Sequence, residues 1–220
     1  MNITPESVEQ LLSSEDFGER LSAVNQMRQL DPAIAFTLIQ VAAQDKSARV
    51  RYAAISQFSS LGKQDLETAL VILRDRLLND TEPDVQAAAA DSLGALKLTA
   101  AFEDLQQLYH STSEWLVKFS IIAALGELGD ARSFELLETA LNADNELVKT
   151  AAIGSLGELG DSRALPLLIP FASNPDWQIR YRLVQALSHF DAPEATAALQ
   201  NLAQDEMQPV AQEAETHLSR

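Results

Sequence analysis

The chain has two tryptophans, Trp115 and Trp177, and each stands four residues before another ring, Phe119 and Tyr181. Residues four apart share one face of an α-helix, so each pair presents two rings side by side. Tyr52 holds the second of these positions earlier in the chain, while Glu146 and Thr150 replace the rings midway between the two pairs. Basic residues recur three positions after the first ring position, one after the repeat's Val anchor position, at Arg20, Arg51, Lys118, Lys149 and Arg180, with Arg182 close by. An aromatic-walled groove can take a flat ligand or a partner's apolar side chains. Cations beside it can pair with carboxylates. Rings at this spacing can equally fill gaps between packed helices, and both readings stand at this level.

Acid–base chemistry has two weak candidates and no assigned catalytic residue. His189 stands where Glu127 and Glu158 stand in two related segments, near a helix end where the dipole favours a cation. Glu146 is the other. His110 and His217 complete the histidines. The chain has no cysteine, which excludes disulfides, thiolate metal sites and thiol nucleophiles. Neither a Ser-His-Asp spacing nor a phosphate-cradling glycine loop is recognisable, and no metal site is expected.

The elements that must position these residues come from a stretch that occurs twice. Val117 to Asp130 reads VKFSIIAALGELGD, and Val148 to Asp161 reads VKTAAIGSLGELGD. Self-similarity at a fixed period of about thirty residues marks a repeat architecture. Val148, Ala152, Leu156 and Leu159 fall on one helical face. Gly157 lies inside the helix at a cost of about 1 kcal/mol against Ala, for which close approach of a neighbouring helix is the expected return. Gly160 is expected to end the helix in a left-handed conformation, and Asp161 to cap the next one. A short amphipathic helix is expected over about Phe134 to Leu141.

The same anchors can be followed along the chain. Residues 1–31 read as an N-terminal cap, with Thr4 as helix cap and Pro5 at the first helical position, plus a degenerate first repeat with Glu19 in place of Val. Residues 32–191 carry the core repeats, anchored at Val50, Val85, Val117, Val148 and Ile179; residues 192–220 form a C-terminal capping repeat anchored at Val210. The expectation is one all-α domain, an α-α superhelix of six to seven helical hairpins. The net charge of −16 argues against nucleic-acid partners and anionic membranes, and no run is apolar enough for membrane insertion. The N-terminus lacks a basic flank with an apolar run, so no secretory signal is read.

The pattern V-[RK]-x-x-A-A-x-x-[LF]-[GS]-x-[LF]-G-D resembles HEAT-type repeats. Its short form, ending A-L-G-E-L-G-D, is similar to the subtype in E/F-type phycobilin lyases. Val117 to Leu137 and Val148 to Leu168 carry the likeness best. The resemblance implies a cytoplasmic factor at the thylakoid-associated phycobilisome, with phycobiliprotein subunits and a protease component as partners. It implies a tetrapyrrole, phycocyanobilin, as a ligand rather than a required cofactor, and lyase-like thioether chemistry as an open question. Under it, Trp115, Lys118, Phe119, Glu146, Lys149, Trp177, Arg180 and Tyr181 form the ligand set, with the cations on propionates and Glu146 on pyrrole N–H groups. The structural alternative for the basic residues is a HEAT-type Asp–Arg ladder, suggested by Arg51 six residues after Asp45. The functional alternative is a non-catalytic protein–protein adaptor.

Overall fold

A computed structural model describes residues 3–219. Among them are fourteen α-helices and no strand. In chain order they are α1 (Pro5–Leu12), α2 (Phe17–Gln26), α3 (Pro32–Ala42), α4 (Ala48–Leu61), α5 (Leu66–Asn79), α6 (Pro83–Ala95) and α7 (Phe102–Ser111). There follow α8 (Trp115–Leu128), α9 (Phe134–Ala140), α10 (Glu146–Leu159), α11 (Leu165–Leu168), α12 (Trp177–Leu187), α13 (Pro193–Leu202) and α14 (Gln208–Leu218). Odd and even helices pair into seven hairpins. The expected short helix near Phe134 is α9.

The chain divides into two compact units, residues 1–124 and 125–220. In the first, α1 packs on α2, α3 on α4 and α5 on α6, with the second helices α2, α4 and α6 side by side. The N-terminal segment is a full hairpin rather than a separate cap. Its anchor position is polar: Glu19 is exposed where Val50, one hairpin later, is fully buried.

In the second unit α10, α12 and α14 form one layer, and α9 and α13 pack behind α10 and α14. The repeat glycines allow this closeness. A Cβ on Gly157 would lie 2.5 Å from the Cα of Ala186, and one on Gly126 would lie 2.7 Å from the Cα of Ser155. In the first unit Gly94 does the same against Ala124, at 2.7 Å. The missing side chain thus lets one second helix lie directly on the next. Gly129 and Gly160 both have φ of +67°, as a left-handed cap requires. Asp130 and Asp161 then each accept an amide hydrogen two residues on and start a 3₁₀ turn before the next helix. Pro166 and Pro170 leave α11 only four residues long, continued by 3₁₀ turns over Ile169–Ser173.

Candidate functional site

The second unit holds an open groove of about 640 Å³ along its second-helix layer. Its lining includes Glu146 and Thr150 from α10, Trp177, Tyr181 and Arg182 from α12, and Pro209 from α14. Asp176 caps α12 by accepting from the Gln178 amide at 2.9 Å, which sets Trp177 at the first helical position. Tyr181 follows one helical turn later, and both rings are half-buried. The volume falls within the range of small-molecule sites, about 300–1,000 Å³.

The charged groups divide sharply in their availability. Arg180 is only 7% exposed, and its guanidinium is gripped by both carboxylate oxygens of Asp205 at 2.6 and 2.9 Å. It also donates to the carbonyls of Asn174 and Pro175 at 2.7 and 3.3 Å. Arg180 is therefore a structural rung, and the role of ligand partner expected for it is corrected: its donors are taken. The same rung recurs as Arg20–Asp45 and Arg51–Asp80 in the first unit, with shortest distances of 2.6 and 2.7 Å. Each reaches forward to the carboxylate of the next hairpin and back to carbonyls in its own turn. The hydrogen bond from Arg180 holds the Asp205 carboxyl below the usual carboxylate range. For Asp45 and Asp80 burial pushes upward, but the arginine and a backbone amide outweigh it.

Lys149 stands at the rung position of α10, and Asn174 stands where the next carboxylate would be. The lysine turns instead to Glu146 at 2.7 Å. The expected free acceptor at Glu146 is thus already in an ion pair. A second opening of about 840 Å³ adjoins the vacant rung, lined by Asp144, Glu146, Lys149, Phe171 and Asn174 among others.

Trp115, Lys118 and Phe119 belong to the first unit, where α8 begins. Trp115 is 47% exposed, Phe119 is half-buried and the Lys118 ammonium sits 5.4 Å from the centre of the Tyr109 ring. Tyr52 lies in a groove of its own, about 550 Å³, with Leu21, Ala48, Arg49, Ala53 and Asp84. His189 is exposed. The Glu158 carboxyl is pushed above its ordinary value by burial and by Glu127, against the pull of His189 and Arg182.

Two contributors to the main groove escape a search for chemically active residue types. Pro209 enters from the next hairpin, which no local pattern announces. Gly154 supplies space: a Cβ there would touch the Arg182 side chain at 3.4 Å, so the arginine stem lies across a bare stretch of α10.

A family model for HEAT repeats matches residues 4–93, 70–157 and 135–219. The chain belongs to the HEAT-repeat family. None of the curated proteins matches it in sequence. Among solved structures it is similar to the complex of CpcE and CpcF of phycocyanin lyase from Nostoc sp. PCC7120, with a TM-score of 0.66 and 20% identity over 100% of this chain and 95% of that one. The Escherichia coli protein YibA gives a TM-score of 0.67 at 18% identity, over 98% of this chain and 81% of that one. An archaeal HEAT-like repeat protein from Thermococcus onnurineus NA1 gives 0.58 at 16%, over 100% and 97%. Identities this low establish a shared fold. No described helix is long and apolar enough to cross a membrane, and no described cluster of His, Asp and Glu could hold a metal ion.

Proposed function

We propose that this HEAT-repeat chain docks on phycobiliprotein subunits and receives their bilin chromophore in the Trp177 groove, as a factor in phycobilisome disassembly. The observation that carries the reading is the groove itself, where two half-buried rings stand beside an exposed guanidinium. The two LGELGD endings, which resemble E/F-type phycobilin lyases and suggest a likeness to the phycobilisome-degradation protein of cyanobacteria, support the choice of partner. With no cysteine in the chain, the bilin is held non-covalently or passed directly between other proteins. The place of action is the thylakoid-associated phycobilisome, with a protease component as a further partner.

Adding phycocyanobilin should quench tryptophan fluorescence, and Trp177→Ala should abolish most of that quenching. Incubation with intact phycocyanin, followed by absorbance, then separates chromophore release from binding alone. A second reading, a non-catalytic adaptor, is favoured by the pairing of Glu146 with Lys149 and of Arg180 with Asp205, which occupies groups that chemistry would need. It expects capture of phycocyanin with an unchanged spectrum. Unquenched tryptophan together with no capture would overturn both.

A further inference from the structure

Among the described lysines and arginines of the second unit, Arg132 pairs with Asp130, Lys149 with Glu146, Arg163 with Asp161 and Arg180 with Asp205. Arg182 is the remaining one, and no described carboxylate lies within ion-pair distance of it. Its guanidinium donates to the side-chain oxygen of Gln185 at 3.1 Å, and it is exposed. Glu158 feels its charge without touching it. This arginine also lines the Trp177 groove.

The Arg182 stem crosses α10 over Gly154, where an added Cβ would stand 3.4 Å away, at ordinary contact distance. The corresponding position one repeat earlier is Ala123, and one repeat later Gln185, the residue that orients the guanidinium. A guanidinium offers a planar fork that matches a carboxylate with two parallel hydrogen bonds. Two rings beside it offer apolar surface for the rest of the same ligand. The other described lysines and arginines of the unit are paired internally, so Arg182 is the guanidinium left open to an anionic group.

We infer that Arg182 is the specificity residue of this groove, selecting flat apolar ligands that carry a carboxylate over the same ligands with that carboxylate masked. The inference rests on the groove reading above and adds the chemical handle by which the ligand is chosen. Arg182 acts here as a binding and orienting group; Lys149 and Arg180, paired elsewhere, do not share the role.

The test titrates the full chain with biliverdin and with biliverdin dimethyl ester, reading tryptophan quenching. Each is repeated on Arg182→Gln and on Trp177→Ala, with circular dichroism to confirm folding. The expected result is tighter binding of the acid by about tenfold or more, the worth of one charge-assisted pair. That preference should shrink to near unity in Arg182→Gln, while the ester binds wild type and variant alike. Equal affinity for acid and ester, with quenching still lost in Trp177→Ala, would overturn the inference and leave the groove reading standing. Quenching by neither compound would overturn both, and Arg182-dependent capture of phycocyanin in that case would mark a carboxylate-bearing protein segment as the occupant instead. Should Arg182→Gln fold poorly, Gln185→Ala offers a milder probe, and an unaltered acid preference in a wild type titrated at 0.5 M salt against 0.05 M salt would count against a charge-based handle.

Discussion

The Tyr52 groove and the Trp177 groove occupy the same positions in two sets of three hairpins, yet their linings differ. Tyr52 corresponds to Tyr181, Ala48 to Trp177, Ala53 to Arg182, Leu21 to Thr150 and Asp84 to Pro209. The first groove keeps one ring, Tyr52, with Arg49, Glu82 and Asp84 also in its lining. The second has two rings, with Arg182, Glu146 and Asp176 also in its lining. Their frames also differ. Arginine rungs flank the Tyr52 groove on both sides, Arg20–Asp45 and Arg51–Asp80. Beside the Trp177 groove only Arg180–Asp205 is present, since Lys149 and Asn174 leave the other rung vacant. The comparison teaches that the repeat supplies a groove wherever three second helices lie side by side. Which groove can bind something is decided by a handful of side chains and by how firmly the turns are tied.

The largest expected effect tests the tied frame. Asp80 is fully buried and receives both Arg51 and Arg76. Asp80→Ala strands buried cations and should lower unfolding free energy by about 3–5 kcal/mol. Asn174→Ala, at the vacant rung, should cost about 1 kcal/mol or less, the worth of its one hydrogen bond to the Asp176 amide. Urea denaturation measures both, and comparable losses would erase the distinction between the two frames.

Next comes the helix contact. Gly157→Ala drives a methyl into the Ala186 backbone and should cost about 1–3 kcal/mol. Gly154→Ala meets only the flexible Arg182 stem at ordinary contact distance, so it should be neutral or gain up to about 1 kcal/mol from helix propensity. The sign difference between two glycines three residues apart is the readout in thermal melts.

A third variant removes the asymmetry directly. Lys149→Arg with Asn174→Asp rebuilds the missing rung. A double-mutant cycle should show a favourable coupling of about 1 kcal/mol, with neither single change reproducing it. A coupling near zero would mean that the vacancy at these two positions is not what separates the grooves.

The smallest effects are titrations, and they run in opposite directions. Asp45, Asp80 and Asp205 are held below the unfolded value of about 3.9, so their stabilisation is complete above that pH and is lost as pH falls through their folded values. Stability measured by urea should therefore decline below about pH 4, with a shallower slope in Asp205→Asn. Glu158 is shifted upward. Its protonation favours the fold as pH drops from above its folded value toward the unfolded one of about 4.3. A slight rise in stability over that window should be present in the wild type and absent in Glu158→Gln.

Much of this was readable from residue order. The helix–turn–helix unit, the left-handed Gly160, the cap at Asp161 and the close approach at Gly157 all follow from local rules about Cβ atoms and orphan amides, and the structure has each in place. The first hairpin is harder to read because Glu19 breaks the pattern of apolar anchors, and in the structure Glu19 is exposed. Within the candidate site, Trp177, Tyr181 and Glu146 do line one groove. Arg180 could not be separated from Lys149 or Arg182 by type or spacing, because what separates them is the identity of a residue twenty-five positions away.

Residue order alone determined that this chain folds as all-α hairpins of the HEAT type, since period, caps and glycines act within one or two helical turns. Tertiary structure decided which cations remain open to a ligand. A guanidinium is neutralised by whatever carboxylate a neighbouring hairpin brings to it, and among the described residues Arg180 meets Asp205 while Arg182 meets none. That pairing is a property of distance between helices, which no count along the chain contains.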